Sequence, residues 1–265
     1  MTGSRMHQLP TRAFGAEPPI PGIPALAEWV EKRRGTGGDL TSYLLSQSLD
    51  PQREAGITLP CAGGKFYKAR VMECLVGLDQ GAAVAEIGLS PDPVVADAFE
   101  IAGMVRQVSV SMPAPHLLGI DDRYYHDGEE WAGALHGAYR TLMRAMRDAG
   151  CGGHVLICDR IDEAETAALS RKKVYFFHPS PKKEDLRVLL EHQRQVAVRN
   201  QDIASTLSLM DEYDITGIII MDPDGPAIRS ALEGLDPEKV FAGGYCTGQC
   251  PAYWKALVES AGYRS

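Results

Sequence analysis

From residue 56 onward, short apolar runs alternate with longer amphipathic stretches. The runs at 56–60, 84–88, 105–111, 153–158, 173–178, 216–221 and 239–243 predict strands. The stretches at 65–78, 93–103, 129–148, 162–169, 181–211, 226–234 and 251–261 predict helices. Two of these carry the strongest periodicity. In 129–148, Trp131, Ala134, Leu135, Ala138, Leu142 and Met146 recur at helical spacing, and Gly150 ends the run. In 181–211 the stripe is Leu186, Leu189, Leu190, Ala197, Ile203, Ala204, Leu207 and Met210, with Ser180 as N-cap and Pro181 at the first helical position. Upstream, 25–49 reads as two short helices broken by Gly35-Thr36-Gly37-Gly38, with Asp39 capping the second. Met1–Pro24 is rich in proline and glycine and reads as an extended arm that packs late or against a second copy of the chain, a route to a homo-oligomer.

Strands that alternate with helices need crossover connections, so the sheet is mostly parallel. Continuous runs such as Ile218-Ile219-Ile220-Met221 fit strands buried on both faces. The expected fold is α/β: a doubly wound, Rossmann-like sheet with an N-terminal helical extension. Residues 1–50 are read as the arm and short helices, and 51–265 as the α/β domain. A (β/α)8-type barrel with one strand missed is the alternative.

Composition narrows the class. The chain has 265 residues, 45% hydrophobic and 23% charged, with a formal net charge of −8. Disordered chains are poorer in apolar residues, and collagen-like chains have periodic glycine. An acidic balance argues against a nucleic-acid partner, which draws a basic excess. Basic residues do cluster at Arg171-Lys172-Lys173 and Lys182-Lys183, as a solvated face or as a few charges holding a small anion. Six cysteines in a chain of this length, with no secretory hydrophobic region, read as reduced thiols in a cytoplasm. No stretch approaches the roughly 18 apolar residues of a membrane span.

Four predicted strand ends share one punctuation: Ser90-Pro91-Asp92-Pro93, Met112-Pro113-Ala114-Pro115-His116, His178-Pro179-Ser180-Pro181 and Asp222-Pro223-Asp224-Gly225-Pro226. Proline ends a ladder and starts a helix, which accounts for the prolines. It leaves the polar residues beside them unexplained. Ligands of parallel α/β sheets bind at the carboxyl ends of strands, next to helix N-termini. A parallel sheet therefore gathers Cys61, Ser90, Asp92, His116, Asp159, His178, Asp222, Asp224 and Cys246 on one edge.

Candidate roles follow from that edge. Gly63 and Gly64 open the backbone to a ligand, Lys65 meets an anion, and Glu86, about twenty residues on, suits a ribose. A nucleotide-like or S-adenosyl cofactor fits this set, and a plain tight turn is the simpler account of it. Asp222 and Asp224 are candidates for a divalent metal or for a helix cap. His178 is a candidate acid or base, with Asp222 orienting it and Cys246 as the thiol. The polar stretch 113–128 reads as a binding loop, offering His116, Tyr124 and His126 to substrate. The leading reading is a cytoplasmic enzyme acting on a small anionic or nucleotide-like molecule, with methyl or acyl transfer preferred. The alternatives are a metal-assisted hydrolase or lyase using Asp222, Asp224, His178 and Cys246, and a non-catalytic ligand-binding or assembly subunit.

Overall fold

The parallel strands follow one another in strict chain order, and the last returns to the first. The computed structural model describes residues 6–35 and 37–264. Met1–Arg5 of the predicted arm and Thr36 of the predicted glycine break lie outside the described residues. The parallel strands are β1 (Thr11–Ala16), β2 (Cys61–Gly63), β3 (Ser109–Pro113), β4 (Gly153–Ile157), β5 (Val174–Phe177), β6 (Gln195–Arg199), β7 (Gly217–Met221) and β8 (Val240–Cys246). They form two four-stranded sheets, β6-β7-β8-β1 and β2-β3-β4-β5.

Two seams join the sheets into a ring. Between β1 and β2, the Ala13 N–H donates to the Leu59 carbonyl (3.0 Å) and the Leu59 N–H to the Thr11 carbonyl (2.9 Å). Between β5 and β6 a side chain stands in for the ladder. The Gln193 amide oxygen accepts from the Phe176 N–H (2.9 Å), and its nitrogen donates to the carbonyls of Phe176 (3.2 Å) and Gln195 (3.0 Å). Closure sets the edge strands of the two barrel sheets against each other. Inside the ring, Phe14 of β1 stacks on Phe177 of β5 with centroids 4.3 Å apart and planes 2° off parallel.

The mostly parallel α/β class holds as read. Between its two architectures, the strand order is that of the barrel. A doubly wound sheet begins in its middle and reverses direction, whereas here β8 pairs in register with β1 (Ala242 with Thr11, Gly243 with Arg12). The segment read as an arm thus supplies a barrel strand, with Ala13, Phe14 and Ala16 buried.

The helices are α1 (Ile23–Lys32), α2 (Leu40–Ala55), α3 (Lys68–Cys74), α4 (Asp92–Met104), α5 (Gly128–Asp148), α6 (Glu163–Leu169), α7 (Lys183–His192), α8 (Ile203–Leu207), α9 (Gly225–Gly234) and α10 (Cys250–Ser260). Asp39 caps α2 as its side chain predicts: the carboxylate accepts from the Ser42 N–H (2.7 Å), while Ser42 Oγ accepts from the Asp39 N–H (2.9 Å). The stripe of α5 is buried at Leu135, Ala138, Leu142 and Met146, each large apolar side chain contributing about 1.5–3 kcal/mol.

Several predicted elements shift. The long helix at 181–211 divides into α7, β6 and α8, because Val196-Ala197-Val198 is a short apolar run buried on both faces and its β-branched valines suit a strand. Lys182, not Ser180, is the N-cap of α7, and the Ser180 N–H donates instead to His178 Nδ1 (3.0 Å). The run at 84–88 belongs to an antiparallel hairpin (Leu75–Asp79 with Ala82–Leu89) that also pairs with Asp121–Asp122 and lies outside the barrel. Val84, Ala85 and Glu86 are exposed in succession, Val84 at 47%, as befits a strand outside the barrel core. The predicted helix 65–78 consequently ends at Cys74, where the hairpin begins. Strand 56–60 gives way to Cys61–Gly63, past Pro60, which has no N–H to donate. The strand at 105–111 starts at Ser109, after the left-handed Gln107 (φ 61°).

Candidate functional site

All eight barrel strands end on one rim, and their first loop residues carry the polar groups. On one side, Glu17 follows β1. Its carboxylate accepts from the Lys65 N–H (2.5 Å) and from the Tyr245 hydroxyl, and its own N–H donates to the Cys246 carbonyl (2.7 Å). Beside it, Asp222 ends β7 in the left-handed region (φ 45°), a conformation that costs an aspartate about 1 kcal/mol. Three bonds hold it there. Its N–H donates to the Gly243 carbonyl (2.8 Å), its carbonyl accepts from Asn200 Nδ2 (3.3 Å), and its carboxylate accepts from the Tyr253 hydroxyl (2.5 Å). The Tyr253 oxygen in turn accepts from the Tyr245 N–H (2.9 Å). Burial raises the Asp222 carboxyl, against the lowering effect of Tyr253. Burial also drives the Tyr245 and Tyr253 hydroxyls up, so both remain donors.

A thiol pair completes this side. Cys246 Sγ lies 3.1 Å from Cys250 Sγ, both buried and both free. The Cys250 thiol is lowered, first by the hydrogen bond from Cys246, while Cys246 is raised by the same bond and by burial. Cys250 is therefore the thiol of the pair that ionises first.

Across the rim, His116 follows β3 and is clamped between two carboxylates. Its Nδ1 lies 2.9 Å from Glu165 Oε1 and its Nε2 2.9 Å from Asp159 Oδ1, and its N–H donates to Glu165 Oε2 (3.0 Å). Burial lowers the imidazole, but the hydrogen bond and charge of Glu165 outweigh it and the net direction is upward. Asp159 also engages His178: Nε2 donates to the Asp159 carbonyl (2.9 Å) while Nδ1 accepts from the Ser180 N–H (3.0 Å). Both ring nitrogens of His178 are thus occupied.

The sequence-predicted residues divide accordingly. His116, Asp159 and His178 meet in one cluster, and Asp222 and Cys246 in the other. Among the described residues no hydrogen bond joins His178 to Asp222 or Cys246. Asp224 turns away to cap α9 through the Ala227 N–H (2.8 Å). Ser90 and Asp92 follow the hairpin rather than a barrel strand, and Cys61 starts β2, at the opposite end. Glu86 is exposed on the hairpin, apart from Gly63 and Gly64. The face of each of those glycines is filled: a Cβ on Gly63 would lie 2.3 Å from the Ser111 carbonyl oxygen, and one on Gly64 2.1 Å from that of Ala16. Lys65 contributes its backbone N–H to the rim, and its side chain is exposed. Tyr124 and His126 stay in the loop after β3, where Asp122 accepts from both N–H groups (3.0 and 2.9 Å). Among the described residues, no three His, Cys, Asp or Glu side chains are arranged to hold a metal ion, and no helix is long and apolar enough to cross a membrane.

Sequence reasoning missed Glu17, Glu165, Tyr245 and Tyr253. Glu17 was legible only once 11–16 was a strand. Glu165 lies one turn into α6, three residues after its cap Asp162. The two tyrosines flank the Cys-containing loop but lack any spacing signature.

The chain is a parallel α/β barrel whose carboxyl rim, where this fold places its ligand sites, gathers carboxylates, tyrosines and thiols. No family model matches the chain, and no curated protein matches it in sequence. Solved structures do match its fold. A B12-independent methionine synthase from Shewanella sp. W3-18-1, in complex with selenomethionine, superposes with a TM-score of 0.66 at 15% identity, over 96% of this chain and 96% of that one. A protein of Listeria monocytogenes assigned as a vitamin-B12-independent methionine synthase superposes with a TM-score of 0.62 at 15% identity, over 96% of this chain and 98% of that one. At this identity the likeness establishes the fold.

Proposed function

We propose that this protein is a methyl-transferring enzyme acting on a small sulfur-containing molecule at the carboxyl rim of the barrel. The observation that carries the reading is the meeting of Asp222, Tyr253 and the Cys246–Cys250 pair at the ends of β7 and β8. A methyl group moves by in-line displacement, so the protein's task is to hold donor and acceptor in line and exclude water. A carboxylate fixed by a tyrosine hydroxyl suits an amino acid's ammonium group, and the soft, partly apolar thiol pair suits a sulfur atom beside it. The two fold neighbours, both named for methionine synthesis and one holding selenomethionine, support the same substrate class. In this reading His116 and His178 are positioning residues, fixing Asp159 on the other wall of the rim through its carboxylate and its carbonyl.

Calorimetric titration with L-methionine and L-homocysteine tests the reading. Saturable binding is expected, weakened about ten-fold in Asp222→Asn with an unchanged melting temperature. A crystal soaked in selenomethionine should show its selenium beside Cys246 and Cys250. Absence of saturable binding by both amino acids overturns the reading.

A further inference from the structure

A large cavity opens at the other end of the barrel. It measures about 660 Å³ and lies where β3, β4, β5 and β6 begin. That volume is within the range of small-molecule sites. Its lining includes Arg12, Arg171, Lys172, Lys173 and Arg194, and no Asp or Glu. A second cavity of about 490 Å³ shares the segment 171–174 and is lined on its far side by three arginines of α5, again with no acidic residue. This concentration of positive charge stands on a protein whose formal net charge is −8.

Helix polarity explains part of it. The carboxyl ends of α6 and α7 reach the cleft at Ser170 and Gln193, and each helix end carries about half a negative charge. Asp214 pairs with Arg194 at 3.2 Å, both exposed. Together these offset about two positive charges of the five. Among the described residues Lys172 and Lys173 have no carboxylate within 4.0 Å, and neither has Arg12. Arg12 is the more telling case. It is half-buried, its Cζ lies 4.3 Å from the Tyr175 ring centroid, and Nη1 donates to Gln195 Oε1 (2.7 Å). A guanidinium fixed in place at the cleft with no carboxylate beside it has N–H donors left to offer an anion.

We propose that this amino-terminal cleft binds a small polyphosphate-bearing molecule, with Arg12, Lys172, Lys173 and Arg194 holding the phosphates. The size of the cleft, the several unmatched charges and the planar guanidinium fit a di- or triphosphate group. The site is separate from the carboxyl rim and does not depend on the function proposed there.

Inorganic tripolyphosphate is the probe, titrated into the full chain by calorimetry. Saturable one-site binding that weakens as NaCl rises is expected. The double variant Lys172→Glu/Lys173→Glu, at exposed positions, should raise Kd about ten-fold or more with no change in melting temperature. Arg12→Gln should weaken binding as well, whereas Asp222→Asn at the rim should leave it untouched. No saturable binding, or equal binding by the double variant, overturns the proposal. So does a short single-stranded RNA that binds through the same lysines while tripolyphosphate does not, since the surface would then serve a macromolecule.

Discussion

Glu165 grips His116 at two points, ring nitrogen and backbone N–H, at 2.9 and 3.0 Å. Both side chains are almost fully buried. With Asp159 on the other nitrogen, the ring donates at both ends and is stabilised as the imidazolium.

The pH consequence has a definite sign. The folded imidazole is raised above its ordinary value of 6.5. Its contribution is therefore fully present below pH 6.5 and lost as pH rises through the folded value. Glu165→Gln should cost on the order of 2 kcal/mol at pH 6 and much less at pH 9. Urea unfolding across that range measures it, and an equal loss at both pH values refutes the charged clamp.

His154 acts in the opposite direction. Burial depresses its imidazole to about 3 from 6.5. The unfolded chain then binds the extra proton, so stability is full above pH 6.5 and falls as pH drops toward 3, by on the order of 5 kcal/mol at the limit. His154→Phe should flatten the acid limb of the stability curve. Ring-proton NMR should show His154 neutral at pH 5, and a His154 that titrates near 6.5 counts against its burial.

The glycines at the β1–β2–β3 junction are placed for contact between strands. Gly63 has φ 89°, and a Cβ would press on the Ser111 carbonyl at 2.3 Å; Gly15 has φ 112° and a Cβ would lie 2.7 Å from the Gly63 oxygen. Gly63→Ala should destabilise by about 3 kcal/mol or prevent folding, combining strain with overpacking. A stable Gly63→Ala protein that has lost only ligand binding would return this residue to the cofactor role read from the sequence.

The thiol pair predicts ordered reactivity. Cys250 should be alkylated before Cys246 at pH 8, and Cys246→Ala should slow Cys250 alkylation by removing the hydrogen bond that lowers it. Peptide mass mapping after brief iodoacetamide treatment reads both. A Cys250 rate that rises in Cys246→Ala contradicts the donor role.

The amino-acid pattern determined the class of this protein. Apolar runs such as 216–221 become buried parallel strands, and the periodic stripe of 129–148 becomes α5, because burial and backbone hydrogen bonding act over a few residues at a time. Proline and aspartate at strand ends likewise marked the rim groups His116, His178 and Asp222. Only the tertiary structure decided how the ring closes. Residues 11–16 look like part of a proline-rich arm until they find β8 more than two hundred positions away, and Gln195–Arg199 looks helical until β7 offers it a partner. Long-range pairing also brought Glu17 to Tyr245 and set Glu86 apart on a hairpin. Local propensity cannot encode such meetings, because their free energy exists only when both partners are already assembled.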